Sequence, residues 1–115
     1  MGQNVMKKSF NHPDRTMTGT NARVDMVRMG ERAIRRFTLQ PGAHWMKSTQ
    51  ESEERTEMRE RVHHFGVQLS GQTRIRTDAG EEVTLRPGDV VFTPTIQELW
   101  AEGTEPSVYI STLMY

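Results

Sequence analysis

After residue 22 the chain divides into short β-compatible runs, each closed by glycine or proline, and this spacing limits the fold more than any other feature. Arg23 to Met29 ends at Gly30, and Arg32 to Gln40 ends at the turn pair Pro41-Gly42. His44 to Gln50 continues as a further run. His63 to Ser70 alternates most clearly and stops at Gly71. Gln72 to Thr77 leads into Asp78-Ala79-Gly80, a hairpin signal, and Val83 to Arg86 leads into Pro87-Gly88-Asp89. Val90 to Thr93 closes at Pro94, followed by Gln97 to Ala101 and Val108 to Leu113. Runs this short cannot bury an apolar face alone, so the pattern predicts an all-β sandwich or barrel over residues 23–115. Residues 1–22 are expected to form a partly ordered arm.

Glu51 to Arg61 interrupts the pattern. Ser48 and Glu51 have capping-box spacing, and the pairs Glu51–Arg55 and Glu57–Arg61 stand four apart with the acid first. These features predict a short solvated helix or charged loop over 51–61. A lid with Arg55 or Arg59 gripping an anion is the sharper alternative.

The chain carries 15 basic and 15 acidic residues, so its charge supplies no attraction to nucleic acid or to an anionic membrane. No apolar run has bilayer length and no apolar leader is visible, which makes the cytoplasm the expected location. Cysteine is absent, which excludes disulfides, thiolate nucleophiles and thiolate metal ligands. A single small core filled partly by methionine predicts added burial through homodimerisation.

Leu69-Ser-Gly71, the hairpin after it, Arg86-Pro-Gly-Asp89 and Val90-Val-Phe-Thr-Pro94 resemble the cupin superfamily. That family pairs a "VLSG" strand with a "PGD" turn and a proline-ended strand. Upstream, Phe10-Asn-His-Pro-Asp14, Arg23-Val-Asp, Val27-Arg-Met-Gly30 and Leu39-Gln-Pro-Gly42 look like small stand-alone cupins with "PGWRWSEH" and "GHDAW" segments. Trp45 and Trp100 match tryptophans of these two segments, and Gly103 with Glu105-Pro106 is similar to the "GDEP" that follows. The resemblance runs from about residue 8 onward. It implies a double-stranded β-helix (jelly-roll) barrel, and it leaves the function open because one fold hosts many chemistries.

The resemblance also implies where a metal would sit: two His and a Glu from the first motif, one His from the second. Counted from Gly42, this chain has Ser48 and Gln50 at the two His positions. Counted back from Gly71, His64 stands at the Glu position. Gln97 holds the His position of the "GHDAW" segment, and Leu99 holds the commoner second-motif position. One imidazole with amides and a hydroxyl is a weak donor set for Fe, Zn, Ni or Mn. A second register counts back from Gly71 without allowing for the charged insertion. It puts Met58 and Glu60 at the His positions and makes Glu60, His64 and Gln97 the metal candidates.

Strand alternation places Gly66 and Gln68 on the face of His64, and His44 and Met46 on the face of Ser48. His44 is therefore expected to share a pocket with His64, Ser48, Gln50, Gln68 and Gln97. Trp45 and Trp100 have both a core and a ligand-stacking reading. His63 is expected at a surface or dimer seam, and His12 has no supporting context. The expected function is binding of a small, partly apolar organic molecule, with metal-independent isomerisation, cyclisation or dehydration of a carbonyl or enol substrate. His64 would be the proton carrier, with His44 a weaker candidate. A divalent-metal oxygenase or lyase and a non-catalytic ligand sensor or accessory subunit are the alternatives.

Overall fold

The structure is a computed structural model that describes residues 4–46 and 63–114. Among these residues all regular structure is β: β1 (Arg15–Gly19), β2 (Ala22–Met29), β3 (Arg32–Leu39), β4 (His44–Met46), β5 (His63–Ser70), β6 (Gln72–Thr77), β7 (Glu82–Leu85), β8 (Val90–Thr93), β9 (Ile96–Glu102) and β10 (Ser107–Met114). They form a six-stranded sheet of order β1-β2-β3-β10-β5-β8 and a four-stranded sheet of order β4-β9-β6-β7. Every strand pairing is antiparallel. The helix or lid expected over 51–61 lies outside the described residues. Among the described residues no helix is long and apolar enough to cross a membrane.

Period-2 burial builds the interior. On β3, Arg35, Phe37 and Leu39 are buried, and on β5 His64, Gly66 and Gln68 are buried between more exposed neighbours. The four-stranded sheet answers with Trp45, Ile75, Leu99 and Ala101. The two sheets meet where the Trp45 ring stands edge-on to Phe37, centroids 6.4 Å apart, while Phe37 also packs at 5.9 Å on Tyr109.

The expected arm contributes more than an arm. Residues 15–19 are β1, hydrogen-bonded to β2, and residues before it fold against the sheet's outer face. The Arg36 guanidinium lies 5.1 Å from the centre of the Phe10 ring. Lys8 pairs with Asp14 at 3.0 Å, and Asp14 accepts the Arg28 backbone N–H at 2.7 Å. These two contacts hold the exposed Asp14 carboxyl below the usual range.

Beneath this covering, Asp25 is fully buried and accepts from Arg23 Nε (2.9 Å), Arg36 Nη2 (3.0 Å) and Thr16 Oγ1 (3.0 Å). Burial alone would raise its pKa, but these three donors reverse the sign and hold it low. Asp25→Ala is expected to lower stability by about 3 kcal/mol, because the half-buried Arg36 then loses its counter-charge. Urea denaturation at neutral pH checks this, and a loss under about 1 kcal/mol would show that the network is dispensable.

Candidate functional site

The polar end of the barrel interior is assembled from four neighbouring strands of the large sheet. Cross-strand pairing sets Arg35 of β3 opposite Ser111 of β10, and Ser111 opposite Gly66 of β5. One row away, His64 pairs with Thr93 of β8, which is also buried. His64 Nδ1 and Ser111 Oγ are 3.3 Å apart. Arg35 is 1% exposed, with its guanidinium 5.3 Å from the centre of the Phe37 ring.

Gly66 makes this packing possible. A Cβ there would lie 2.6 Å from Tyr109 Oη and 2.5 Å from the Ile110 carbonyl oxygen. Tyr109 therefore lies across the β5 backbone where any larger residue would stand. Its hydroxyl completes no hydrogen bond among the described residues, although Ser111 approaches it. Burial pushes the phenol up to about 12, with Ser111 and the Arg35 charge opposing the rise.

The electrostatics of His64 follow from the same neighbours. Burial disfavours the imidazolium, and the Arg35 and His63 charges add to that, pulling the pKa down to about 3. At neutral pH His64 is an uncharged imidazole beside a buried guanidinium. Where the Ser111 hydroxyl donates to Nδ1, the ring proton sits on Nε2 and is available to a ligand oxygen.

Gln68 is in the interior as expected, fully buried, but its amide is engaged away from His64. Nε2 donates to the Ser70 and Gly71 carbonyls at 2.8 and 3.2 Å, leaving Oε1 without a partner among the described residues. Trp45 is core, 1% exposed. Leu99, at the second-motif ligand position, is 1% exposed within the same apolar cluster. Gln97 sits in a β-bulge, since the pairing steps from Arg76↔Glu98 directly to Thr77↔Ile96. It is half-buried, and its side chain makes no hydrogen bond among the described residues.

The expected placement of His44 and Trp100 is corrected. Trp45 faces the core, so its neighbours on a pleated strand must face out, and the His44 side chain is 50% exposed. On that outer face His44 stacks on Trp100 at 5.3 Å, and its Nδ1 is 2.6 Å from Glu98 Oε2. Glu98 also accepts from Arg76 at 2.7 Å. Burial raises the Glu98 pKa, while Arg76 and His44 lower it by more. Neither His44 nor Trp100 shares the interior with His64. Ser48, Gln50 and Glu60 lie outside the described residues.

A divalent metal does not fit the donors that are described. Among these residues no group of three or more His, Cys, Asp or Glu is placed to hold one. The Arg35 cation that disfavours a proton on His64 disfavours a metal ion there for the same reason.

Arg35 was not singled out in the sequence, yet a signal for it existed. It shares the period-2 face of Phe37 and Leu39, so a strand that buries those two must also bury Arg35.

No protein-family model matches the sequence, and no curated protein is detectably similar to it. Solved structures do match. The Cupin_2 domain of an XRE family transcriptional regulator from Enterobacter cloacae is 20% identical, with TM-score 0.64 over 84% of this chain and 98% of that one. A conserved double-stranded β-helix protein from Klebsiella pneumoniae is 13% identical, with TM-score 0.67 over 96% of this chain and 90% of that one. A cupin-superfamily sugar phosphate isomerase from Silicibacter pomeroyi is 14% identical, with TM-score 0.58 over 83% of this chain and 60% of its own length. Two facing antiparallel sheets, the Gly71 and Pro87-Gly88 corners and these matches together establish that the chain has the cupin fold, a double-stranded β-helix.

Proposed function

We propose that the barrel binds a small, partly apolar organic molecule through a carbonyl, enolate or carboxylate oxygen, held between His64 and Arg35. The observation that carries this reading is a neutral, buried imidazole beside a buried guanidinium on the barrel's inner face. A guanidinium in a low-dielectric interior favours an anionic oxygen, and a neutral Nε2–H donates to it without gaining charge. Phe37, Met26 and Tyr109 supply the apolar contact.

The low basicity of His64 bears on catalysis. An imidazole of pKa about 3 is a poor proton acceptor near neutrality, so in the free protein it polarises a carbonyl better than it removes a proton. A bound anion would offset the Arg35 charge and restore some basicity, which keeps isomerisation, cyclisation or dehydration open once ligand is present. The non-catalytic sensor reading gains support from the same low basicity. It also gains from the likeness to the Cupin_2 domain of a transcriptional regulator.

Binding of 2-oxobutanoate and phenylpyruvate, compared with 2-butanone, tests the proposal by calorimetry. The oxo acids are expected to bind at least about tenfold tighter than the ketone, since a charge-assisted hydrogen bond contributes about 1.5–3 kcal/mol. Arg35→Met should remove the difference, and His64→Gln should weaken both classes. Equal affinity for acid and ketone in the wild type would overturn the role given to Arg35.

A further inference from the structure

The outer face of the large sheet is two surfaces. Over β1 to β3 it is charged and covered by the chain's own residues 8–14. Over β10, β5 and β8 it is apolar, and among the described residues none folds over it. Phe92 is 63% exposed, Val90 64%, Leu69 50% and Phe65 46%. These side chains are contiguous. Phe65 pairs directly with Phe92 and Val67 with Val90, while Ile110 pairs with Val67 from the other side. His63 lies parallel to the Phe92 ring at 5.1 Å and extends the patch along β5.

Among the described strands charge is missing from this surface. The strands β5, β8 and β10 contain no Lys, Arg, Asp or Glu in a chain that is 26% charged, although β1 to β3 carry many. Among the described residues β8 is also the last strand of its sheet, so one edge of its backbone has no neighbouring strand among them. Exposed edges are ordinarily guarded by charge or proline inside the strand, and Val-Val-Phe-Thr has neither.

We infer that this face, centred on Phe65, Val90 and Phe92, is the seam of a symmetric homodimer. The area argues for a second copy of the chain. The four most exposed side chains leave on the order of 400 Å² of apolar surface. A standard interface uses roughly 800 Å² per partner, a little over half of it apolar. The patch thus supplies most of the apolar half of one such interface. A two-fold axis over the Phe65–Phe92 pair brings the same uncharged surface from each subunit together, as an isologous contact requires. This seam lies on the opposite side of the sheet from His64 and is independent of what the barrel binds.

Sedimentation equilibrium of the full chain at about 5–100 μM, with Phe92→Glu and Val90→Glu alongside, tests the seam. The wild type is expected to be a dimer, and each variant is expected to dissociate at least tenfold more readily. Val83→Glu, an exposed apolar site on the other sheet, is expected to remain dimeric. Because the chain has no cysteine, Val90→Cys gives a single thiol per subunit, which avoids placing charge in the strand. A bis-maleimide spanning about 15 Å is expected to join it into a covalent dimer far faster than Val83→Cys, since two copies of residue 90 flank an axis over the Phe65–Phe92 pair and the sheets face each other about 10 Å apart. A wild type that stays monomeric at 100 μM overturns the proposal. So does a dimer unaffected by both glutamates, or one that crosslinks no faster through residue 90 than through residue 83.

Discussion

Gly71→Ala is expected to lower stability by more than about 4 kcal/mol and to leave little folded protein at 37 °C. Two independent effects add at this position. The backbone is left-handed, φ +66°, where a side chain costs about 1–2 kcal/mol. A Cβ would also stand 2.0 Å from the Pro106 carbonyl oxygen and 2.8 Å from Ser107 Cα, both backbone atoms that no rotamer change can move aside. Relief requires parting the β5–β6 corner from the start of β10. That corner also receives the Gln68 amide through its Ser70 and Gly71 carbonyls. Gly80→Ala is the matched control, because its φ is +92° but nothing lies within 4 Å of its Cβ position. It should show only the conformational part. Comparable urea midpoints for the two variants would mean the corner yields without strain.

The sequence was most readable where turn chemistry and alternation agreed. His63 to Ser70, Gln72 to Thr77 and Val90 to Thr93 are strands with the expected boundaries, because a glycine- or proline-bearing turn closes each one and, along β5 and β6, buried and more exposed positions alternate. β1 was missed for a physical reason. Its residues Arg-Thr-Met-Thr-Gly are solvent-exposed around Met17 at a sheet edge, so there is no buried face to write a pattern.

Within the site, alternation holds along both β5 and β4, but on β4 the buried face is that of Trp45 and not that of His44 and Met46. Burial of Trp45 decides the face of the strand, and that burial sends His44 outward to Glu98 and Trp100. Arg35 shows the opposite limit. Residue type argues against burying arginine, whereas strand period and its neighbours Phe37 and Leu39 require it. Where type and period disagree at one position, the exception falls at the polar end of the barrel.

Stability of the wild type is expected to fall by about 2 kcal/mol between pH 6.5 and 5, through His64 alone. In the unfolded chain its imidazole titrates near the model value of 6.5, whereas in the fold burial and the Arg35 charge hold it to about 3. Below pH 6.5 the unfolded state therefore binds a proton that the folded state refuses, and stability drops as pH falls. It is fully present above 6.5, and by pH 3 the loss approaches about 5 kcal/mol at 1.36 kcal/mol per pH unit. The carboxylates act in a lower window. Asp25 and Glu98 have depressed pKa values, so their contributions hold above about 4 and vanish only as pH drops through their folded values. The interval from 6.5 to 5 thus lies above the carboxylate window, and the His64→Gln variant supplies the comparison that assigns the slope. His64→Gln removes the proton-binding site and should flatten the profile over that interval, while keeping the steep acid limb below it. Guanidinium titrations at pH 7.5, 6.0 and 5.0 read this directly. A wild-type profile that is flat between 7.5 and 5, or an equal slope in His64→Gln, would mean that the imidazole is not held uncharged inside the barrel. The same titration repeated with an oxo acid bound links the prediction to the ligand. If the carboxylate sits on Arg35, the His64 pKa rises and the loss between pH 6.5 and 5 shrinks.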